Sequence, residues 1–517
     1  MPLNLTALVV FVLFFAFVTF VGFAAANWRR GDLDLLHEWG LAGGRFGTLI
    51  TWFLLGGDLY TAYTFIAVPA LAFGAGAIAF FAVPYTIVIY PFVFVVFPRL
   101  WSVARARGYI TAADFVRGRY GDRWLALAVA VTGILATLPY IALQLVGLEV
   151  VIAAMGVQLA GLLVYLPLII SFGILAAFDY FSGLRAPAAI AIIKDLMIYV
   201  TVFAAVIIIP AEVGGWSKIF AAVPPQQLLL ADNFGSYTGY ATLFLGSAMA
   251  LFLYPHSVTG VLSSSSRHVI RRNAALLPAY SFLLGLIALL GFMAIAVGVK
   301  GMAAYASGFA QFGNNFAVPA LILQVFPAWF AGFAFASIGI GALVPAAIMS
   351  IAAANLFTRN IYREFINPNC EPRIEARTAK LTSLAAKVGA LLFIMLLRKE
   401  YAINMQLLGG IWIIQTFPAI ILGLYTRWLD PKALLIGWAS GMICGTWMAA
   451  SVGFTPLFRL EIFGTVIPAY IAIWSVLLNF TVAFVLSFVF NTAARSRFDE
   501  TMPGDYAVET GIVGGGH

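Results

Sequence analysis

The chain has 517 residues, of which 63% are hydrophobic and 10% are charged. Soluble domains carry about 25% charged residues, so this composition excludes a soluble globular protein and predicts an all-α, polytopic membrane protein. The net charge of +8 therefore indicates membrane topology rather than nucleic-acid binding. The two cysteines suit no disulfide framework or metal site, and we expect no bound cofactor.

Apolar runs long enough to cross a bilayer predict thirteen transmembrane helices, which we number as spans one to thirteen. The first run has no basic segment before it and is long for a signal peptide, so we expect it to be retained. The predicted spans cover residues 5–26, 46–72, 76–98, 124–154, 160–180, 186–210, 238–262, 274–299, 323–357, 378–397, 404–426, 432–452 and 466–490.

Most of the 29 lysine and arginine residues lie in segments that are cytoplasmic if the N-terminus is outside. Positive residues favour the cytoplasmic side, so we predict an external N-terminus and a cytoplasmic C-terminus in a bacterial or archaeal cytoplasmic membrane. Residues 1–495 would form one transmembrane domain, followed by a polar, disordered cytoplasmic tail at 496–517. The arginine-rich segment 99–123 is expected to form an interfacial helix, and the polar segments 211–237 and 300–322 to cap an external vestibule.

Span two carries the first candidate site, Gly56-Gly57-Asp58-Leu59-Tyr60-Thr61-Ala62-Tyr63-Thr64. A carboxylate at mid-membrane costs about 2.5–3.5 kcal/mol on insertion scales, so Asp58 needs a partner or a water-filled cavity. The glycine pair allows the helix to open and to present backbone carbonyls to a cation. Because hydroxyl groups follow directly, we interpret the segment as an ion and substrate site. The alternative is a structural aspartate paired with a neighbouring helix.

Span seven carries a second interruption, Tyr254-Pro255-His256-Ser257-Val258-Thr259-Gly260, where the proline removes a backbone donor. Two interrupted helices five spans apart are typical of inverted-repeat transporters with a site at the membrane midplane. The repeats would then cover residues 46–210 and 238–426. His256 would donate to an anionic substrate or carry a proton, or else be a structural histidine near the membrane face.

Span nine contains a run of small residues from Gly341 to Ile351 that permits close helix approach. The hydroxyl of Ser350 and nearby carbonyls would complete a cation shell opposite span two. The alternative is a serine that bonds only to the backbone of its own helix.

Seven segments between about residues 5 and 490 carry a resemblance to a known family. They are AGGRFG, TWFLLGGDLYTAYTFIAVPAL, GYITAADFVRGRYG, PYIALQLVG, GLRAPA…KDLMIY, GALVPAAIMSIAAANLFTRNIYREF and LLGGIWIIQTFPA. In this order and spacing they resemble the sodium/solute symporter family, and most of all its bacterial monocarboxylate permease branch. The resemblance implies a LeuT-type fold, a five-plus-five inverted repeat with one extra helix before it and two after it. That agrees with the thirteen predicted spans.

The resemblance also implies a cation site. It falls on the backbone of Gly56 and Leu59 and on Ala347 and Ser350, a set that would hold Na⁺, with the mid-helix Asp58 beside it. Many sodium-coupled members have a second hydroxyl after the serine, where this chain has Ile351, which supplies no oxygen ligand. The coupling ion is therefore Na⁺ or H⁺, and we expect an inward proton gradient to drive uptake better than a sodium gradient.

A carboxylate substrate needs hydrogen-bond donors at membrane depth. The backbone N–H groups freed at the helix breaks are candidate donors. The alternative role for Trp412 is that of an interfacial anchor. The candidate side chains are those of Tyr60, Thr61, Thr64, Gln144, His256, Trp412 and Gln415.

Charged residues other than Asp58 also lie within predicted spans. We expect Lys194 and Asp195 to form a structural ion pair with Asp179 or Arg185, or else to help release the cation inward. We place Lys387 on a helix outside the site.

The sequence contains no ATP-binding motif, no paired catalytic carboxylates and no cluster of metal ligands, so we expect a transporter and not an enzyme. The resemblance implies symport of lactate-, pyruvate- or acetate-like anions with inward cation flow, by alternating access. The alternatives are a symporter of an amino acid or other small solute, and a membrane sensor built on the transporter fold. The expected partners are the small-molecule substrate and the lipid bilayer, with no nucleic acid and no obligate protein partner.

Overall fold

A computed structural model describes residues 2–28, 31–157, 166–396, 402–491 and 498–509. Up to residue 154 the α-helices are α1 (Leu5–Ala24), α2 (Leu36–Leu41), α3 (Thr48–Gly57), α4 (Val68–Ala75), α5 (Ala82–Arg107), α6 (Ala112–Tyr120) and α7 (Arg123–Ala154). The next group is α8 (Leu166–Ser182), α9 (Arg185–Val213), α10 (Trp216–Ala222), α11 (Pro225–Leu228), α12 (Phe234–Leu251), α13 (Pro255–Leu262) and α14 (Arg267–Leu276).

The remaining α-helices are α15 (Pro278–Val297), α16 (Ala306–Phe312), α17 (Ala317–Val325), α18 (Ala328–Phe357), α19 (Pro372–Leu396), α20 (Ala402–Ile413), α21 (Phe417–Ile420), α22 (Pro431–Ser451) and α23 (Ile471–Phe490). Two π-helical segments cover Tyr63–Ala67 and Thr358–Ile366. Short 3₁₀ segments cover Ala25–Asn27, Ala42–Gly44, Gly76–Phe81, Val299–Gly301, Ala303–Tyr305, Gly313–Phe316, Ile414–Thr416, Leu422–Leu424 and Pro503–Ala507.

The chain is a polytopic membrane protein, and the regular secondary structure of its described residues is helical apart from one β-hairpin. In the described ranges ten helices are long and apolar enough to cross a membrane, or eleven if the bent pair α12 and α13 forms one span. The shorter apolar helices α3 and α8 come in addition. The count of thirteen spans stays a prediction, because span five begins among residues that the structure does not describe, and the helical run Tyr63–Arg107 joins spans two and three.

The hairpin corrects the predicted start of span thirteen. Residues 466–470 were expected to be helical, but they lie in β2 (Thr465–Tyr470), which pairs antiparallel with β1 (Leu457–Ile462). Val466 and Ile467 are β-branched and favour a strand, and Pro468 cannot continue a helix. The helix therefore begins only at Ile471, directly after the strand.

The buried core is centred on α18, which packs against α1, α7, α9 and α19. All of its most apolar stretch is buried inside the protein. Small residues make this packing possible: a Cβ atom at Gly339 would lie 3.1 Å from the side chains of Leu148 and Phe11. This central helix carries Ala347 and Ser350.

Residues 498–509 pack against the protein, which corrects the expectation of disorder for this part of the tail; residues 496–497 and 510–517 lie outside the described residues. Asp499 pairs with Arg119 and lies 3.2 Å from Arg427, and Asp505 lies 2.6 Å from Arg107. Thr501 is buried. The arginines of the predicted interfacial segment thus attract acidic residues that follow the last helix, an attraction that composition alone did not indicate.

Arg119 is the centre of this contact, so its removal should destabilise the protein. Its guanidinium donates to the carbonyls of Gly423 (2.8 Å) and Thr426 (2.7 Å) and pairs with Asp499. Hydrogen bonds to charged groups contribute about 1.5–3 kcal/mol each. We expect Arg119→Ala to lower the melting temperature in detergent and to make the tail sensitive to limited proteolysis.

Arg117→Ala is the matched control for this variant. Arg117 pairs with Glu364 at 2.9 Å, but its side chain is 38% exposed, and such surface pairs contribute about 0–1 kcal/mol. A loss of thermal stability as large in Arg117→Ala as in Arg119→Ala would contradict the role assigned to the buried guanidinium.

Candidate functional site

Span two opens at the glycine pair, as predicted, and we call this interruption between Gly57 and Tyr63 the first break. Helix α3 ends at Gly57, and regular helical structure resumes only at the π-helical segment beginning at Tyr63. A Cβ atom at Gly56 would collide with the ring of Tyr280, and one at Gly57 would lie 2.9 Å from the Nζ atom of Lys194. The two glycines therefore admit neighbouring side chains to the backbone where the helix ends.

Polar side chains satisfy the N–H groups that this break frees. The Thr64 hydroxyl accepts from the N–H of Thr61, and the Thr61 hydroxyl accepts from the N–H of Tyr63, both at 3.0 Å. The Oε1 atom of Gln144, on α7, accepts from the N–H of Ala62 at 3.0 Å. A membrane core offers no water for these groups, so the polar side chains are what makes the open backbone tolerable.

Span seven is interrupted at Pro255, as predicted, and we call this interruption between Leu251 and Pro255 the second break. Helix α12 ends at Leu251, α13 begins at Pro255, and the two helices are bent by 48°. Tyr140 and Tyr254 place their rings against the imidazole of His256, with centroids 5.4 Å and 5.3 Å away.

The two breaks meet at Asp58 and His256, which are both buried. The Oδ2 atom of Asp58 lies 3.2 Å from Nε2 of His256 and 3.4 Å from the hydroxyl of Ser257. Both partners lie in the first turn of α13, where the helix dipole favours an anion. The Oδ1 atom of Asp58 is buried without a hydrogen-bond partner, so the carboxylate keeps free acceptor capacity.

Lys194 does not make the contacts expected from the sequence. Its Nζ atom donates to the carbonyls of Gly57 and Tyr60 in the first break, the latter at 3.2 Å, and lies 3.2 Å from Oδ1 of Asp195. The Tyr280 hydroxyl donates to the other oxygen of Asp195 at 2.9 Å.

The expected partners of this pair are used elsewhere. Arg185 lies 2.5 Å from Glu38, and Asp179 lies 3.0 Å from Lys387. The opened backbone supplies free carbonyls close to Lys194. The attraction between these carbonyls and the ammonium group could not be predicted from the charged residues of the sequence alone.

Lys387 corrects a second expectation, because it lies at the predicted cation site and not outside it. Its Nζ atom donates to the hydroxyls of Ser350 (2.7 Å) and Ser383 (3.0 Å), while Ser350 donates to the carbonyl of Ala347 (2.8 Å). The signal was available in the sequence, since a lysine within an apolar helix needs a buried partner.

The predicted cation ligands of span two form a turn of their own. The Gly56 carbonyl accepts from the N–H of Leu59 at 2.9 Å. Within the described part of the chain, no hydrogen bond joins Gly56 or Leu59 to Ala347 or Ser350, so the action of the four residues as one shell stays a prediction.

Among the predicted substrate ligands, Tyr60, Thr61, Thr64, Gln144 and His256 lie at the breaks, but two residues lie elsewhere. The amide nitrogen of Gln415 donates to Ser475 at 2.8 Å, and its Oε1 atom accepts from Asn479 at 3.1 Å. Trp412 donates to Thr446 at 3.1 Å. These contacts bind α20 and its 3₁₀ extension to α22 and α23. The expectation that Gln415 and Trp412 face the substrate is therefore not supported.

Two cavities are lined in part by residues of loops. One of about 990 Å³ is lined by residues of 226–239 and by the β-hairpin, including Asn233 and Pro468. Part of the segment 211–237 thus lines this cavity, and its role in an external vestibule stays a prediction. A second cavity of about 780 Å³ is lined by several charged side chains, among them Arg45, Arg105 and Arg359.

Comparison with known proteins agrees with this geometry. The model of the sodium:solute symporter family matches residues 39–445. A monocarboxylate transport permease protein of Rhizobium johnstonii is 50% identical over 503 residues, 96% of this chain and 99% of that protein. The uncharacterized symporter YodF of Bacillus subtilis is 34% identical over 445 residues, 85% of this chain and 87% of that protein.

A solved structure supports the predicted fold. A Na⁺-coupled sialic acid symporter in a substrate-bound, outward-open state superposes with a TM-score of 0.76 over 96% of this chain and 99% of that chain, at 15% identity. The LeuT-type helical fold expected from the sequence is thereby confirmed. The chain belongs to the sodium:solute symporter family, and it is therefore a membrane symporter and not an enzyme.

Proposed function

We propose that the protein takes up a short-chain monocarboxylate such as lactate, pyruvate or acetate, together with a cation, across a bacterial cytoplasmic membrane. The observation that carries this proposal is the meeting of the two helix breaks at Asp58 and His256. The near-complete coverage of the 50% identical monocarboxylate permease supports the choice of substrate class over an amino acid.

The first turn of α13 suits a substrate carboxylate. Its N–H groups and the His256 side chain are donors at the positive end of a helix, and Asp58 already lies against them. A substrate carboxylate would share these donors with Asp58, and the coupled cation would offset the charge of the two anions. In this arrangement substrate binding is linked to cation binding, and no arginine is needed to balance the charge of the substrate.

We also propose thirteen membrane crossings with the N-terminus outside and the C-terminus inside. The repeats would cover residues 46–210 and 238–426, each beginning with an interrupted helix. The bend between α12 and α13 and the opening after α3 support this division. Residues 496–517 would then lie in the cytoplasm, where the arginine-rich segment is also placed.

For the coupling ion we propose H⁺. Ile351 supplies no oxygen beside Ser350, and the Ser350 hydroxyl is already held by Lys387 at 2.7 Å. We expect an inward proton gradient to drive uptake of labelled pyruvate into proteoliposomes better than an equal sodium gradient. Ile351→Thr should increase the sodium dependence by adding a hydroxyl, while Ile348→Thr, a buried control on the same helix, should not. Strict sodium dependence of the unmodified protein at a clamped membrane potential would contradict proton coupling.

Replacing Asp58 by asparagine should nearly abolish coupled uptake. The substitution keeps the shape of the side chain and removes the negative charge that lies between the two breaks, beside His256 and Ser257. Loss of a hydrogen bond to a buried charged group costs about 1.5–3 kcal/mol, enough for a fall of tenfold or more. The measurement is initial-rate uptake by proteoliposomes that contain equal amounts of folded protein.

Asp122→Asn is the control for this variant. Asp122 caps α7 by accepting from the N–H groups of Trp124 and Leu125, and asparagine caps helices equally well. An Asp58→Asn protein with unchanged rate and ion dependence would show that Asp58 is structural.

Gln144 and Gln415 should behave differently, although the sequence suggested the same role for both. Gln144→Ala leaves the N–H of Ala62 unpaired at the break, which costs about 1–3 kcal/mol, so we expect a higher KM for pyruvate. Gln415→Ala removes contacts to Ser475 and Asn479, so we expect a lower melting temperature with an unchanged KM. If Gln144→Ala also keeps the original KM, Gln144 has no part in the substrate site.

A further inference from the structure

Lys194 is fully buried on α9, and its ammonium group is surrounded by oxygen atoms of the first break. Two of its neighbours are the carbonyls of Gly57 and Tyr60, and the third is the Oδ1 atom of Asp195. An ammonium has three N–H donors, one for each of these oxygens. A neutral amine has only two, so the geometry fits the charged form.

The two carbonyls are free because the helix opens. In a continuous helix each would accept from an N–H four residues further on, but no regular helix continues after Gly57 until Tyr63. Free carbonyls of an interrupted membrane helix are the groups that coordinate a metal cation in many transporters. Gly57 and Tyr60 have the same spacing as the predicted ligands Gly56 and Leu59, one residue further along the chain.

We propose that Lys194 is a tethered cation that holds the opened segment of span two in place of a dissociable metal ion. The inference builds on the proposed function and concerns the ion requirement of the same site. Because the charge is covalently attached to α9, it need not be taken up from outside and released inside in every transport cycle.

The surroundings of Lys194 support this positioning role. Asp195 balances its charge and is itself held by the hydroxyl of Tyr280 at 2.9 Å. The hydroxyl of Tyr60 in turn donates to the backbone carbonyl of Tyr280 at 3.0 Å. One lysine therefore connects α9 to the first break, while Tyr280 connects both to α15.

The predicted ligand in span nine also has a resident ammonium. Lys387 holds Ser350 and Ser383 and lies 3.0 Å from Asp179. Positive side chains thus lie beside both parts of the predicted cation site. Uptake should then proceed without sodium, and loss of the Lys194 charge should create a need for a small external cation.

The first test uses the unmodified protein in proteoliposomes with choline as the only other cation. Under an inward proton gradient we expect labelled pyruvate uptake at a rate that added sodium does not raise. Uptake that occurs only with sodium would overturn the inference and leave the proposed substrate intact. Absence of pyruvate uptake with any ion would instead contradict the proposed function, and the second test would still decide the role of Lys194.

The second test replaces the lysine and returns a cation from solution. Lys194→Ala should lower uptake by about tenfold or more, since a buried charge partner is lost. Methylammonium, which carries N–H donors, should restore part of the uptake and raise the melting temperature of the variant in detergent. Tetramethylammonium has the same charge without N–H groups and should do neither.

Lys380→Ala is the control, because it removes a lysine that pairs with an aspartate, Asp34 at 3.8 Å, away from both helix breaks. Sodium should raise the melting temperature of Lys194→Ala, whose free carbonyls can coordinate it, more than that of Lys380→Ala. An equal effect in both variants, or a Lys194→Ala protein that transports normally without any added cation, would overturn the inference. So would a folded variant that no small cation restores.

Gly57→Ala gives an independent check if Lys194→Ala does not fold. The added Cβ would lie 2.9 Å from Nζ and 3.0 Å from Asp195, which displaces the ammonium without removing it. We expect a loss of uptake that methylammonium does not restore, because the added methyl group occupies the same space. Normal uptake by Gly57→Ala would overturn the inference.

Discussion

The structure depends on one constraint: a membrane helix that opens must satisfy its own backbone. Five residues of span two leave the helix, and water is not available at that depth to bind their N–H and C=O groups. Hydroxyls of the same segment, an amide from α7 and an ammonium from α9 supply the missing partners. The site is therefore built from three helices before any substrate or ion arrives.

The second constraint is electrostatic. Asp58 is buried, and it is tolerated because it lies in the first turn of α13, beside His256 and Ser257. The second break thus stabilises the charge of the first, and the two halves of the molecule depend on each other at this point. A change of conformation that separates the breaks would leave the Asp58 carboxylate without its partners. A ligand that compensates this charge would therefore shift the conformational equilibrium.

Much of this arrangement could be predicted from the sequence. A glycine pair beside an aspartate in an apolar run indicated the first break, and a proline before a histidine indicated the second, because both rules concern the local backbone. The partners of Lys194 and Lys387 could not be predicted, because they are set by which helices pack together. The contacts of Gln415 with Ser475 and Asn479 could not be predicted for the same reason: a glutamine in an apolar span indicates a buried partner, but not whether that partner is substrate or another helix.

The central helix α18 has no side that faces lipid along its most apolar stretch. On a helix at the protein surface, one face contacts lipid and accepts many apolar substitutions, while the other is restricted by packing. On α18 every face meets protein, and a glycine such as Gly339 leaves no room for a larger side chain without movement of Leu148 and Phe11. Sequence variation among related proteins should therefore be low at all positions around α18. It should lack the 3.6-residue periodicity expected of a helix with one lipid-facing side. A hydropathy profile alone would classify the helix as an ordinary lipid-facing span.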